Sequence, residues 1–127
     1  MKNYSSEFLS YLNGKKIIIA GCDGYIGTEL SNQLEINNIE YIGIDKTLTK
    51  NNRSLQFNLM DSKMVQDIVS KEKPNYFFHL ATHSALEYKN NFLHAFYEDN
   101  TALYNILNGH RKFHKDIVKA ERIGSDD

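Results

Sequence analysis

Apolar positions along this chain follow two periods. Ile17-Ile18-Ile19-Ala20 is a continuous, mostly β-branched run, the mark of a strand buried on both faces, as in a parallel sheet. Just downstream, Ile26, Leu30 and Leu34 recur every fourth residue, which predicts a helix with one apolar stripe that ends at Asn37-Asn38. Ile39 to Ile44 reads as a second strand closing at Asp45, Ser54 to Asn58 as a third, and the aromatic run Tyr76-Phe77-Phe78-His79-Leu80 as a fourth. Between the last two, Asp61 is placed to cap a helix through Met64, Val65, Ile68 and Val69, and Pro74 interrupts it. Ala85 to Leu107 is helically patterned, in one or two pieces. Ahead of the first strand, Ser5 or Ser6 can cap a short helix carrying Tyr4, Phe8 and Leu12, and Asn13-Gly14 stops it. That helix reads as an extension packed on the domain edge, with docking to a partner as the alternative.

Strands alternating with helices imply right-handed crossovers and a parallel sheet. The expected class is α/β: a Rossmann-like parallel sheet of at least four strands in the order 3-2-1-4, with flanking helices. Residues 1–14 form the extension, 15–108 the nucleotide-binding part, and 109–127 a charged, poorly patterned tail.

The turn from Gly21 to Gly27 lies between the first strand and its helix, and that context gives a glycine motif meaning. Gly21 permits a tight exit from the strand. Gly24 lacks a Cβ, so the backbone can approach a pyrophosphate, and Gly27 lets the helix pack closely. Free N–H groups at Gly24, Tyr25 and Ile26 are expected to face phosphates, aided by the helix dipole. Asp45 stands 24 residues after Gly21 at the end of strand two. A carboxylate there accepts both ribose hydroxyls of an adenosine and repels a 2′-phosphate, favouring NAD over NADP. Lys46 follows directly and softens that preference. The other readings of these residues are a purely structural turn for the glycines and a plain turn residue for Asp45.

The run Ala20-Gly21-Cys22-Asp23-Gly24-Tyr25-Ile26-Gly27 resembles the Thr-Gly-x-x-Gly-x-x-Gly signature of the extended short-chain dehydrogenase/reductases, the NAD-dependent epimerase/dehydratase group acting on nucleotide sugars. Asn58-Leu59 is similar to the family's adenine-contacting Asp-Ile or Asp-Leu. His79-Leu80-Ala81-Thr82 is similar to its His-Leu-Ala-Ala after strand four, and Asn100 matches an asparagine on the next helix. The resemblance implies cofactor contacts from Leu59, Leu80, Ala81, Thr82 and Asn100 as well as from the turn. There are departures. Ala20 replaces a threonine, Asn58 an aspartate, and Leu103-Tyr104 stand where small residues are common.

The resemblance also implies isomerase or lyase chemistry that depends on a Tyr-x-x-x-Lys helix beyond a fifth strand. The one such spacing in this chain, Tyr11 to Lys15, precedes strand one and reads as chance. The expectation is therefore a fold truncated relative to the family, with no catalytic residue of its own. It would bind a dinucleotide, and a nucleotide sugar only if another chain completes it. A non-enzymatic adenine-nucleotide sensor and an inactive remnant are the alternatives. Strand four is expected to lie at an open edge, covered by Lys115 to Ile123 or by a second copy of the chain, giving a homodimer.

Composition narrows the rest. The 127 residues carry a net charge of −1, which sets up no field for nucleic acid or an anionic membrane. No apolar run reaches the roughly 18 residues of a membrane span, and no signal peptide is evident, so cytoplasmic is the default. Cys22 is the only cysteine, so no intrachain disulfide forms. Its place near a helix N-terminus would favour a thiolate, but a small filler is the reading preferred for the position. His79 and His83 straddle a strand end, and His110, His114 and Asp116 sit in a polar tail. No metal site is expected from either group. Asp23 and Glu29 flank the turn without a role. The basic tail residues Arg111, Lys112, Lys115, Lys119 and Arg122 are offset by Glu121, Asp126 and Asp127. Tyr76, Phe77 and Phe78 read as sheet core.

Overall fold

The computed structural model describes residues 4–47 and 54–113. The elements run α1 (Tyr4–Leu12), β1 (Ile17–Ala20), α2 (Tyr25–Ile36), β2 (Tyr41–Asp45), β3 (Ser54–Gln56), α3 (Ser62–Glu72), β4 (Tyr76–His79), α4 (Ala85–Asn90) and α5 (Phe92–Phe113). The strands form one sheet in the order β3-β2-β1-β4, parallel throughout, with Ala20 level with Ile44 on one side and His79 on the other. This is the expected order. All four β1 residues are buried, as a central strand requires, and each buried isoleucine contributes about 1.5–3 kcal/mol.

The chain divides into two compact units. The first holds the sheet with α1 and α2. Its core gathers Leu12, Ile17, Ile19, Cys22, Leu34, Ile39 and Tyr41. Leu12 is fully buried in that core, so α1 contributes to the interior. Gly14, with φ +77°, makes the left-handed turn into β1. The aromatic strand β4 is half-buried along its length, because α1 lays Phe8 edge-on against Phe78 and Tyr11 against Tyr76. β4 pairs with β1 and, among the described residues, with no other strand. The segment 115–123, expected to cover that edge, lies outside the described residues.

In α2 the buried face differs from the expected stripe. Gly27, Ser31 and Leu34 are buried, whereas Ile26 is 65% exposed. The close approach at Gly27 turns the helix by one position, and the Ser31 hydroxyl donates to the Gly27 carbonyl at 2.7 Å. Ile26 and Leu30 instead line a groove with Phe8, Leu9 and Tyr25. The helix ends where expected, with Asn38 at φ +57°.

The second unit holds α3, α4 and α5. Asp61 caps α3 by accepting the Met64 N–H at 3.1 Å, and Lys73 closes it in the left-handed region (φ +46°) ahead of Pro74. Asn91 ends α4 and begins α5, its N–H donating to Glu87 and its carbonyl accepting from Ala95. The tail does not begin at Gly109. α5 runs on to Phe113, and Gly109 within it is buried against α3, where a Cβ would make ordinary contact with Val65 and Val69 at 3.7–3.8 Å. Buried Asn105 donates from Nδ2 to the Leu59 carbonyl at 2.8 Å. Asn105→Ala would leave that carbonyl unpaired and is expected to cost about 1–3 kcal/mol. A thermal melt unchanged from wild type would refute the bond's importance.

Candidate functional site

The three turn glycines do different work. Gly21 has φ +85°, and a Cβ on it would lie 2.8 Å from Ala81 N and Leu80 C. Both its conformation and its neighbours require glycine. The same closeness brings Leu80 and Ala81 onto the turn, where the Leu80 N–H donates to Ala20 O at 2.8 Å. A Cβ on Gly27 would fall on the Gly21 carbonyl oxygen and 2.9 Å from Cys22 Cα. Gly24 is otherwise. Its φ of −73° and ψ of 177° are open to any residue, and a Cβ would meet only Gly21 O, at 3.3 Å.

Gly24 is the N-cap of α2 and has no side chain to cap it, unlike Asp61 and Ser84, which cap α3 and α4. The first amides of any helix lack intrahelical partners. One expectation is corrected here. The Gly24 N–H is not free, because it donates to Gly21 O at 3.1 Å and closes the turn. The amides left for an anion are those of Tyr25, Ile26 and Gly27. Tyr25 is 97% exposed, so its ring does not cover them.

Asp45 ends β2 beside this turn. Its Oδ2 accepts the Asp23 N–H at 3.0 Å, while Oδ1 accepts the Thr47 N–H at 3.2 Å and the Thr47 hydroxyl at 3.0 Å. The carboxylate is thus held at the mouth of the glycine turn. A carboxylate offers about four acceptor positions, so three donors leave room for another. Lys46 is exposed, and its carbonyl accepts from Gln56 at 3.4 Å.

Cys22 agrees with the filler reading and not with the thiolate one. It is buried beneath the turn, its Sγ donates to the Ser54 hydroxyl at 3.5 Å, and burial pushes its pKa up. Gly43 of β2 makes the space, since a Cβ there would lie 2.6 Å from the sulfur. The run of apolar residues in β2 had hidden the role of Gly43.

Gly21, Gly24, Tyr25, Ile26, Gly27, Asp45, Lys46, Leu80, Ala81 and Thr82 therefore belong to one unit, at the carboxyl ends of its strands. Asn58, Leu59 and Asn100 belong to the second. There the Asn58 Oδ1 accepts the Met60 N–H at 2.9 Å in a side-chain turn, Leu59 is buried, and the exposed Asn100 donates to Phe96 O at 2.8 Å.

The second unit also contains a polar cluster that the sequence reading passed over. The His83 Nδ1 lies 2.7 Å from Asp99 Oδ1, the His83 backbone N–H donates to both Asp99 oxygens, and the Tyr88 hydroxyl donates to Oδ2 at 2.6 Å. The Asp99 bond raises the His83 pKa. Burial pushes Asp99 upward, but the hydrogen bonds from Tyr88 and His83 outweigh it and hold the carboxyl below its ordinary value. The sequence signal for this cluster was His94 and Glu98, four apart on a helix.

Solved structures share this architecture. L-Threonine dehydrogenase of Clostridium difficile aligns at 23% identity with a TM-score of 0.70, over 80% of this chain and 34% of that one. An epimerase of Methanothermobacter thermautotrophicus aligns at 18% identity and 0.75, over 87% and 35%. UDP-glucose 4-epimerase of Thermus thermophilus, in complex with NAD, aligns at 17% identity and 0.68, over 77% and 34%. The chain spans about a third of the length of each. The fold is thus Rossmann-like. The family model for the NAD dependent epimerase/dehydratase family matches residues 17–116, and the chain belongs to that family.

Proposed function

We propose that this chain binds NAD through the cofactor's adenosine and pyrophosphate half. The observation that carries the reading is Gly24. It is a glycine whose φ any residue can adopt and whose Cβ would meet only Gly21 O, at 3.3 Å, placed as an uncapped helix N-cap where a bare backbone suits a close anion. The pyrophosphate would take the Tyr25, Ile26 and Gly27 amides, which is what helix N-termini offer an anion. Asp45, fixed by Asp23 and Thr47, would take the ribose hydroxyls, with Lys46 beside it. Leu80, Ala81 and Thr82 would follow the cofactor away from Gly21, as the family resemblance implies.

The proposal assigns these residues binding and no turnover of their own. Tyr11 of the single Tyr-x-x-x-Lys lies in α1, and its hydrogen bond to Tyr76 raises that phenol's pKa. Lys15 follows in the turn out of α1, its backbone N–H donating to Leu12. The Tyr11 phenol is thus engaged with another tyrosine.

Calorimetric titration tests the reading. NAD and ADP should bind with similar strength and NADP more weakly, because a 2′-phosphate would meet the Asp45 carboxylate. Asp45→Asn removes that charge and should narrow the gap between NAD and NADP. No heat and no thermal shift with any of the three ligands would mean that the turn is structural only.

A further inference from the structure

We propose that His83, His94 and Glu98 form a binding site for a divalent transition-metal ion of the zinc type, with Glu87 at its rim. This site is separate from the glycine turn and independent of the NAD reading. The His83 Nε2 lies 3.1 Å from Glu98 Oε1 and the His94 Nε2 lies 2.9 Å from the same oxygen. The three donor atoms all fall within 4.8 Å of one another. Around a tetrahedral zinc with bonds of about 2.1 Å, neighbouring ligand atoms stand roughly 3.4 Å apart. Two of the three edges are therefore already near the required length. The third closes by rotating His94, whose side chain is 58% exposed and free to turn.

The surroundings resemble those of a metal site more than those of a chance contact. Histidine ligands usually give their second ring nitrogen to a carboxylate, which fixes the tautomer and aims the lone pair of the first. Asp99 does this for His83 from 2.7 Å, and it is itself held by Tyr88. With its Nδ1–H committed to Asp99, a neutral His83 directs its Nε2 lone pair at Glu98. Two acceptors at 3.1 Å need a positive charge between them, either a proton or a metal ion. The convergence of a second imidazole on the same oxygen makes a shared cation the better occupant.

The donors come from elements that hold their geometry. His94 and Glu98 are four apart on α5 and share a face. His83 directly precedes Ser84, the N-cap of α4. The Ser84–Glu87 capping box uses Glu87 Oε1, and Oε2 lies 3.7 Å from His83 Nε2 at the rim of the cluster. Two imidazoles and one or two carboxylates suit zinc and its neighbours better than calcium or magnesium, which favour all-oxygen shells.

The test is calorimetric titration of the full chain with Zn2+, repeated with Co2+ to read coordination from its visible absorption. One ion per chain is expected, with an upward shift of the melting temperature and a four-coordinate Co2+ spectrum. His94→Ala and Glu98→Gln should abolish binding at concentrations that saturate wild type. His94 is exposed, so its variant should keep the wild-type circular dichroism spectrum. Asp99→Asn should weaken binding by about 10–100-fold, and His110→Ala, outside the cluster, should bind as wild type. Absence of binding to the wild type, or binding that survives His94→Ala and Glu98→Gln unchanged, overturns the proposal. In the first case His83 is held by protons alone; in the second the ion sits elsewhere.

Discussion

Gly27→Ala is expected to be the most damaging single substitution in the first unit. Its new methyl would fall on the Gly21 carbonyl oxygen, with Cys22 Cα and Gly21 C each 2.9 Å away. All three are backbone atoms, so no side chain can swing aside. α2 would have to lift from the turn, taking Leu34 and Ser31 from their buried positions. Overpacking in a well-packed interior costs about 1–3 kcal/mol. A backbone overlap of this kind belongs at or above the top of that range, against a total stability of about 5–15 kcal/mol. At about 4 °C per kcal/mol, the melting temperature should fall by at least about 10 °C, or the protein should become insoluble. A variant melting within about 2 °C of wild type would mean that the helix does not sit on the turn as described.

Gly24→Ala should do the reverse, keeping the fold and losing the ligand. Its dihedral angles suit alanine, and the one close neighbour is at 3.3 Å. Alanine is a poorer N-cap than glycine by roughly 1 kcal/mol, but it also restricts the unfolded chain, which is worth about 0.4–1 kcal/mol. The two effects nearly cancel, so the melt should move by no more than about 3 °C. Binding is another matter. A methyl over the Tyr25 and Ile26 amides separates them from a pyrophosphate, and hydrogen bonds to charged groups contribute about 1.5–3 kcal/mol each. The affinity for NAD and ADP should drop by at least about tenfold, the equivalent of 1.4 kcal/mol. Unchanged affinity would remove the reason for a glycine there. A collapsed melt would show that Gly24 is structural like its two neighbours. The pair of variants thus separates a turn built for a ligand from a turn built only for the fold.

Much of the first unit was legible in the chain because its signals are local. A four-residue β-branched run, glycines at three-residue spacing and an acid at the end of the next strand each act over a few residues. Strand order then follows from the handedness of crossovers. The cap at Asp61, the interruption at Pro74 and the turn at Asn13-Gly14 were local as well, and the structure places Asp61 at the start of α3 and Gly14 after α1.

What tertiary structure alone decided concerns distances between residues far apart in sequence. Three glycines look alike in a string. Only the Gly21 approach to Leu80 and Ala81, and the position of Gly27 over Gly21, show which two the fold requires. The use of the Gly24 N–H inside the turn depends on backbone geometry that no pattern encodes. Ile26 left the buried face because a close contact, and not hydropathy, set the rotation of α2. Residues 109–113 read as tail until Val65 and Val69 are seen beside Gly109. His83 precedes α4 while His94 and Asp99 lie on α5, so only packing α4 against α5 could bring them together. Sequence by itself determined the elements and the place of the glycine turn, because backbone propensity and periodicity act over a few residues. The division of labour within the turn and the histidine–carboxylate cluster arise from packing, which is non-local.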